Sequence, residues 1–206
     1  MSGLLAAWTV AAVLAQGIVV DRLVAVVSGQ PILFSDLRAA RALVLVADAG
    51  SLDDEALTDR LVVRELMRAE VERFSTTVDL DRGVARQADA EARASKAGGE
   101  AGLAALGLSP GRLRAWLEDD ARIDRYLHQR FDAASQPSDD EALTWFQAHE
   151  REFLRDGRPR PFAEVREDVR AKLAVERRQT LLDEWIAGLR RRATIVLVPA
   201  GPSRQP

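Results

Sequence analysis

A mainly α-helical bundle closed by a small β-sheet is the fold class this sequence predicts, and three observations predict it. Val19 to Leu37, VVDRLVAVVSGQPILFSDL, sets two apolar, β-branched runs around Ser28-Gly29-Gln30. From there to Arg192 the spacing of apolar residues is almost entirely helical. Thr194 to Val198, TIVLV, then returns to β-rich sequence at the far end of the chain. A lone hairpin is marginal in water, so the terminal pentamer is expected to join the N-terminal hairpin as a third strand.

In the hairpin, Val24, Val26 and Val27 favour an extended chain because branching at Cβ restricts χ1. Gly29 supplies the turn and Pro31 opens the second strand. Ser35 is the expected cap of a first helix reaching about Ala47, with Leu37, Ala40, Leu43 and Val44 on one face. Ser51 is the expected cap of a second helix reaching about Phe74, with Val63, Met67, Val71 and Phe74 as a stripe widened by Leu57, Leu61 and Leu66. Asp79 to Lys96 has good helix formers and little apolar surface, which suggests a solvent-facing arm or one wall of an open cradle. Gly98-Gly99 breaks it, and a short helix over Ala101 to Leu108 follows. Ser109-Pro110 starts a helix to about Phe131, with Leu113, Trp116, Leu117, Ile123, Leu127 and Phe131 inward. Ser138 caps a helix holding Ala142, Trp145, Phe146 and His149, Leu154 to Pro161 reads as a loop, and Phe162 to Arg192 is a long closing helix.

The bulk numbers exclude whole classes of function. A hydrophobic content of 47% is ample for a core, while 30% charged residues call for a solvated surface. A net charge of −3 makes no electrostatic case for nucleic acid. The absence of Cys removes disulfides, thiolate nucleophiles and thiolate metal sites together. Leu4 to Leu14 is an apolar run too short for a bilayer, which takes ~20 residues. Val13-Leu14-Ala15 offers small residues where a signal peptidase needs them, so residues 1–15 are expected to be a signal peptide and Gln16 the mature N-terminus. An uncleaved anchor and a buried apolar segment are the alternatives, since no Lys or Arg precedes the run. The mature domain is then 16–198, with 199–206 a frayed tail.

Templates for catalysis fail in turn. No G-x-x-x-x-G-K-[ST] is present, and Gly98 to Gly102 follows a helix where a nucleotide loop would follow a strand. His128 and His149 form no metal-ligand pair. Asp119-Asp120 reads as a solvated helix face and Asp139-Asp140-Glu141 as a helix N-terminus. The expectation is no catalytic residue, no cofactor and no metal. The aromatic residues are core candidates first. Trp116, Tyr126, Trp145 and Phe146 are also candidates to line a groove for apolar peptide, because rings bury much area at little entropic cost. Tyr126 lies off the main stripe of its helix, which favours that role.

Val20-Asp21-Arg22-Leu23-Val24-Ala25-Val26-Val27-Ser28-Gly29, followed by Pro31-Ile32-Leu33-Phe34-Ser35-Asp36, resembles the opening of the SurA-like periplasmic chaperones, with Ser28 where Asn is usual. Ser109 to Tyr126 and Pro161 to Arg190 are similar to that family's middle and closing helices. The family carries parvulin-type isomerase domains before its closing helix; here Leu154 to Pro161 alone occupies that place, too little for a core. The resemblance implies an ATP-independent periplasmic holdase whose partners are unfolded outer-membrane or secreted polypeptides. A prolyl isomerase by family resemblance, and a subunit dedicated to one assembly partner, are the rival readings.

Overall fold

The computed structural model describes residues 21–74, 80–155 and 157–199, the side chains of residues 80–86 excepted. The apolar run Leu4 to Leu14, the cleavage site after Ala15, the helix start at Asp79 and the tail from Gly201 lie outside the described residues. Strand β1 (Leu23–Val27) turns through Ser28 and Gly29 into β2 (Gln30–Leu33). Both turn residues have positive φ, +48° and +89°, the condition for a two-residue hairpin turn whose twist matches its strands. The closing strand β5 (Ile195–Leu197) pairs antiparallel with the other side of β1, giving the order β2-β1-β5. The expected third strand is therefore present, and the fold is mainly helical with a small terminal sheet.

Helix α1 (Phe34–Ala42) follows β2 without a loop. Ser35 does not cap it. Leu33 holds the cap position, its N–H donates to Asp36 Oδ2 (2.8 Å), and the Ser35 N–H donates to Asp21 Oδ1 (3.2 Å). The helix ends five residues short of Ala47, because Val44 and Asp48 take positive φ and reverse the chain. In α2 (Asp54–Glu72) the cap is Asp53, which accepts from Ala56 N (2.8 Å), so Ser51 lies outside it. Its buried face is Leu57, Leu61, Val62, Leu66 and Val71; Val63 and Met67 are half-buried and Phe74 is exposed, a rotation of the expected stripe.

Helix α3 (Leu80–Lys96) is no free arm over its described side chains. Ala90 and Ala94 are buried against Leu103 of α4 (Gly99–Ala105) and Leu113 and Leu117 of α5 (Pro110–Phe131), together with Ala39 and Leu43. Small residues let helices approach closely, so a sequence poor in large apolar groups still packs. The turn before α5 comes equally near α1: a Cβ on Gly107, where φ is +78°, would sit 2.7 Å from Ser35 Cβ. Ser109 and Ser138 cap α5 and α6 (Asp139–Ala148) as expected, the Ser138 N–H donating in return to Glu141 Oε2 (2.8 Å). Leu154 to Pro161 is not all loop, since β3 (Leu154–Arg155) and β4 (Arg158–Pro159) pair as a small hairpin after a 3₁₀ turn at Glu150–Phe153.

The main core joins the inner face of the sheet (Ala25, Val27, Ile32) to α2, the second half of α5 and the end of α7 (Phe162–Arg192), where Trp185 and Leu189 are buried. The first half of α7 packs separately on α6, Val165 and Val169 meeting Ala142, Phe146 and Phe153. Charge ties that second contact together. Arg177 donates to both oxygens of Glu141 (2.7 and 3.1 Å), Lys172 to Glu152 (2.8 Å) and the Trp145 indole to Glu176 (3.0 Å).

Gly107→Ala should lower stability by about 2 kcal/mol, combining a left-handed backbone with a steric clash, and urea unfolding measures it. The Arg177 and Ser138 bonds hold the Glu141 carboxyl down to about 2. A lowered folded-state value stabilises above the unfolded value of 4.5 and is lost as pH falls from there towards about 2. Glu141→Gln keeps the helix cap and removes the charge. Its deficit in urea midpoint should be present at neutral pH and vanish across that acid window; a deficit independent of pH would contradict the assignment.

Candidate functional site

Helices α2 and α5 meet along a seam that is partly open to solvent. One cleft of about 270 Å³ is lined by Val71, Phe74 and Ile123, with Arg68, Glu72, Asp119 and Arg122 around them. A second of about 210 Å³ is lined by Pro31, Ile32, Leu61, Ala115 and Trp116, again with Arg68 and Asp119 at its border. The shared residues make the two clefts neighbours along one seam. Both are lined by apolar and charged side chains together, the charged ones forming the rim.

The rim is fully engaged with itself. Arg64 lies 4.0 Å over the Trp116 ring, donates from Nε to Asp120 Oδ1 (2.7 Å) and from Nη2 to the Trp116 carbonyl (2.9 Å). Asp120 is thus buried and paired, which corrects its reading as part of a solvated face. Arg68 donates to both oxygens of Glu65 (2.7 and 2.8 Å) and to Glu72 (3.1 Å), and the Glu65 bond foremost raises the basicity of its guanidinium. Arg122 pairs with Asp119 (2.8 Å), and Arg112 reaches Asp36 at the head of α1 (2.9 Å).

The four groove candidates do not share one surface. Trp116 is half-buried and lines the smaller cleft. Tyr126 is a core residue, correcting its placement as a lining group: its ring lies 5.6 Å from both Phe74 and Trp185, and its hydroxyl accepts from Arg130 (3.0 Å). It backs the larger cleft through Phe74, which is 49% exposed. Trp145 and Phe146 belong to the α6–α7 cluster; Phe146 is buried and Trp145 half-buried, stacked 4.0 Å from His149. The sequence reading missed Phe74 and Ile123 as lining residues and Arg64 and Arg68 as rim residues. Arg68 was legible from its i−3 and i+4 acids, Glu65 and Glu72. The Arg64–Asp120 pair spans two helices and leaves no local trace.

Neither histidine lines the seam. His128 bonds Asp132 through Nδ1 (2.8 Å), which foremost holds that carboxyl below its usual range, and His149 Nδ1 lies 2.7 Å from the Trp145 carbonyl. Among the described residues no three His, Cys, Asp or Glu side chains are grouped to hold a metal ion, and no helix is long and apolar enough to cross a membrane. Comparison with protein-family models and with curated proteins finds no match to either.

The Arg64–Asp120 pair should behave as a unit. Asp120→Leu alone strands a largely buried guanidinium and should cost about 3 kcal/mol. Arg64→Met combined with Asp120→Leu should recover more than half of that, read as a coupling energy in a double-mutant cycle of urea unfolding. Additive losses would mean that the two charges act independently.

Proposed function

We propose that this protein is an ATP-independent holdase that shields extended apolar segments of unfolded outer-membrane or secreted polypeptides in the periplasm. The observation that carries the reading is the α2–α5 seam, where solvent-accessible Phe74 and Trp116 lie inside a rim of self-paired charges. Such a surface takes up apolar side chains. Its rim is already satisfied, so it makes no strong demand for a charged ligand. The similarity of Val20 to Asp36 to the opening of the SurA-like chaperones supplies the compartment and the client class.

Holding requires no chemistry on the client. Unfolded β-barrel precursors expose strand-forming segments that pair edge to edge and aggregate, and weak reversible coverage is enough to delay this. Between Leu154 and Pro161, where the family would carry its isomerase, the described residues form the β3–β4 pair. That favours holding over prolyl isomerisation.

The test is light scattering of a urea-unfolded porin diluted into buffer without nucleotide. The chain from Gln16 onward should suppress scattering stoichiometrically. Phe74→Ser removes half-exposed apolar area worth about 1 kcal/mol of client binding, so about fivefold more protein should be needed for equal suppression. Unchanged scattering with folded wild-type protein would refute the holdase reading.

A further inference from the structure

The two edges of the sheet differ in kind. On β2 the second residue is Pro31, which has no N–H to offer. On β5 the ladder to β1 runs through alternate residues: the Ser28 N–H donates to the Thr194 carbonyl (2.8 Å), Val196 sits opposite Val26, and the Val198 N–H donates to the Val24 carbonyl (2.9 Å). In antiparallel pairing the intervening residues point their amides the other way. The N–H and C=O groups of Ile195 and Leu197 therefore face the open side of β5, where no described strand pairs with them. Residues 194–198, TIVLV, contain no charge and no proline to blunt that edge. Leu197 is 62% exposed and Val196 51% exposed, on opposite faces of the strand.

We infer that β5 is a docking edge for an extended apolar client segment, which adds to the sheet as a fourth strand. The inference rests on the holdase reading and names how a client backbone is recognised. Outward donors and acceptors on alternate residues fit only another extended chain, whatever its sequence. Leu197 and Val196 favour apolar side chains on both faces of that segment. Arg191, exposed and without an ion pair among the described residues, stands in the last turn of α7, four residues before β5, and favours an acidic flank. A second copy of this chain is the weaker occupant. A three-residue edge followed by Pro199 contributes far less area than the roughly 1,200 Å² of a stable interface. A transient client contact needs no such area.

The probe is a fluorescein-labelled peptide of about eight residues alternating Val and Thr between terminal Glu residues, a length matched to common strands. Binding is read by anisotropy. Leu197→Pro deletes an outward N–H and leaves the β1 ladder intact, so it should weaken binding about tenfold, whereas Leu197→Thr, which keeps the N–H, should stay within about threefold. The same peptide N-methylated on alternate amides along one edge should lose binding to the unaltered protein about as strongly. That arm decides the matter if Leu197→Pro fails to fold. Equal binding of the methylated and plain peptides, no peptide binding at all, or a β5-dependent dimer in sedimentation would each overturn the docking edge. Porin scattering run alongside separates the two readings. Suppression without peptide binding leaves the holdase standing and removes the edge, and peptide binding without suppression does the reverse.

Discussion

Strand β1 must be hydrogen-bonded on both sides, and its second partner is the last strand of the fold. A buried amide without a partner is costly, and β1 carries Ala25 and Val27 fully inside the main core. Its β2 side is satisfied locally through a two-residue turn. Its other side waits for β5, and hence for everything between. This requirement fixes the course of α7. At 31 residues the helix is about 46 Å long, enough to run from the α6 cluster back to the sheet. Its two ends are buried in different clusters: Val165 and Val169 with α6, Trp185 and Leu189 with β1 and α2. Closing so long a loop costs chain entropy before any β1–β5 contact repays it. The ion pairs Arg190–Asp59 (2.6 Å) and Arg192–Glu70 (3.4 Å) fasten the end of α7 to α2 beside that junction.

Helix α5 performs the same joining role from the other side. Leu113 and Leu117 pack on α1, α3 and α4, whereas Ile123, Tyr126, Leu127 and Phe131 enter the main core. Where these two commitments meet, Trp116, Asp119 and Asp120 line the side facing α2. A seam lined with ionised groups cannot close as an apolar one does, because each charge retains water or a partner. The open clefts are therefore a consequence of where the charges fall on two helices held together elsewhere.

Much of this was legible in the sequence where the signal is local. The hairpin announced itself through β-branched residues around Ser28-Gly29. Ser109-Pro110 and Ser138 with Glu141 marked helix starts to the residue. Where a boundary depends on a distant contact, local rules failed. Leu43 to Val46 continues an apolar pattern, and nothing within it foretells the positive φ at Val44 that turns the chain. Ser35 has the right chemistry for a cap, but the direct passage from β2 into α1 gives that position to Leu33, and Asp36 supplies the bond from inside the helix. The same divide separates the site residues. Trp116 was singled out because a large ring on a helix is conspicuous, and it lines a cleft. Phe74 was placed in the core by periodicity, and Asp120 in solvent by its neighbour, because the partners that decide both come from other parts of the chain.

Under the proposed holdase reading, the self-pairing of the rim also decides what the seam would select. An arginine that already binds two carboxylates, as Arg68 does, presents little uncompensated charge to a ligand. An anionic guest would have to displace Glu65 or Glu72 and restore their hydration, and it gains nothing that they do not already supply. An apolar guest would displace water chiefly over the exposed Phe74 ring, with the buried Val71 and Ile123 behind it. Selection by a holdase of this kind would fall to apolar area, which discriminates weakly between sequences and strongly between folded and unfolded chains. A folded protein has few contiguous apolar patches to offer. That combination, low sequence preference with preference for the unfolded state, is what the proposed holding demands. On that reading it would arise from paired charges that keep the cleft beside Phe74 open.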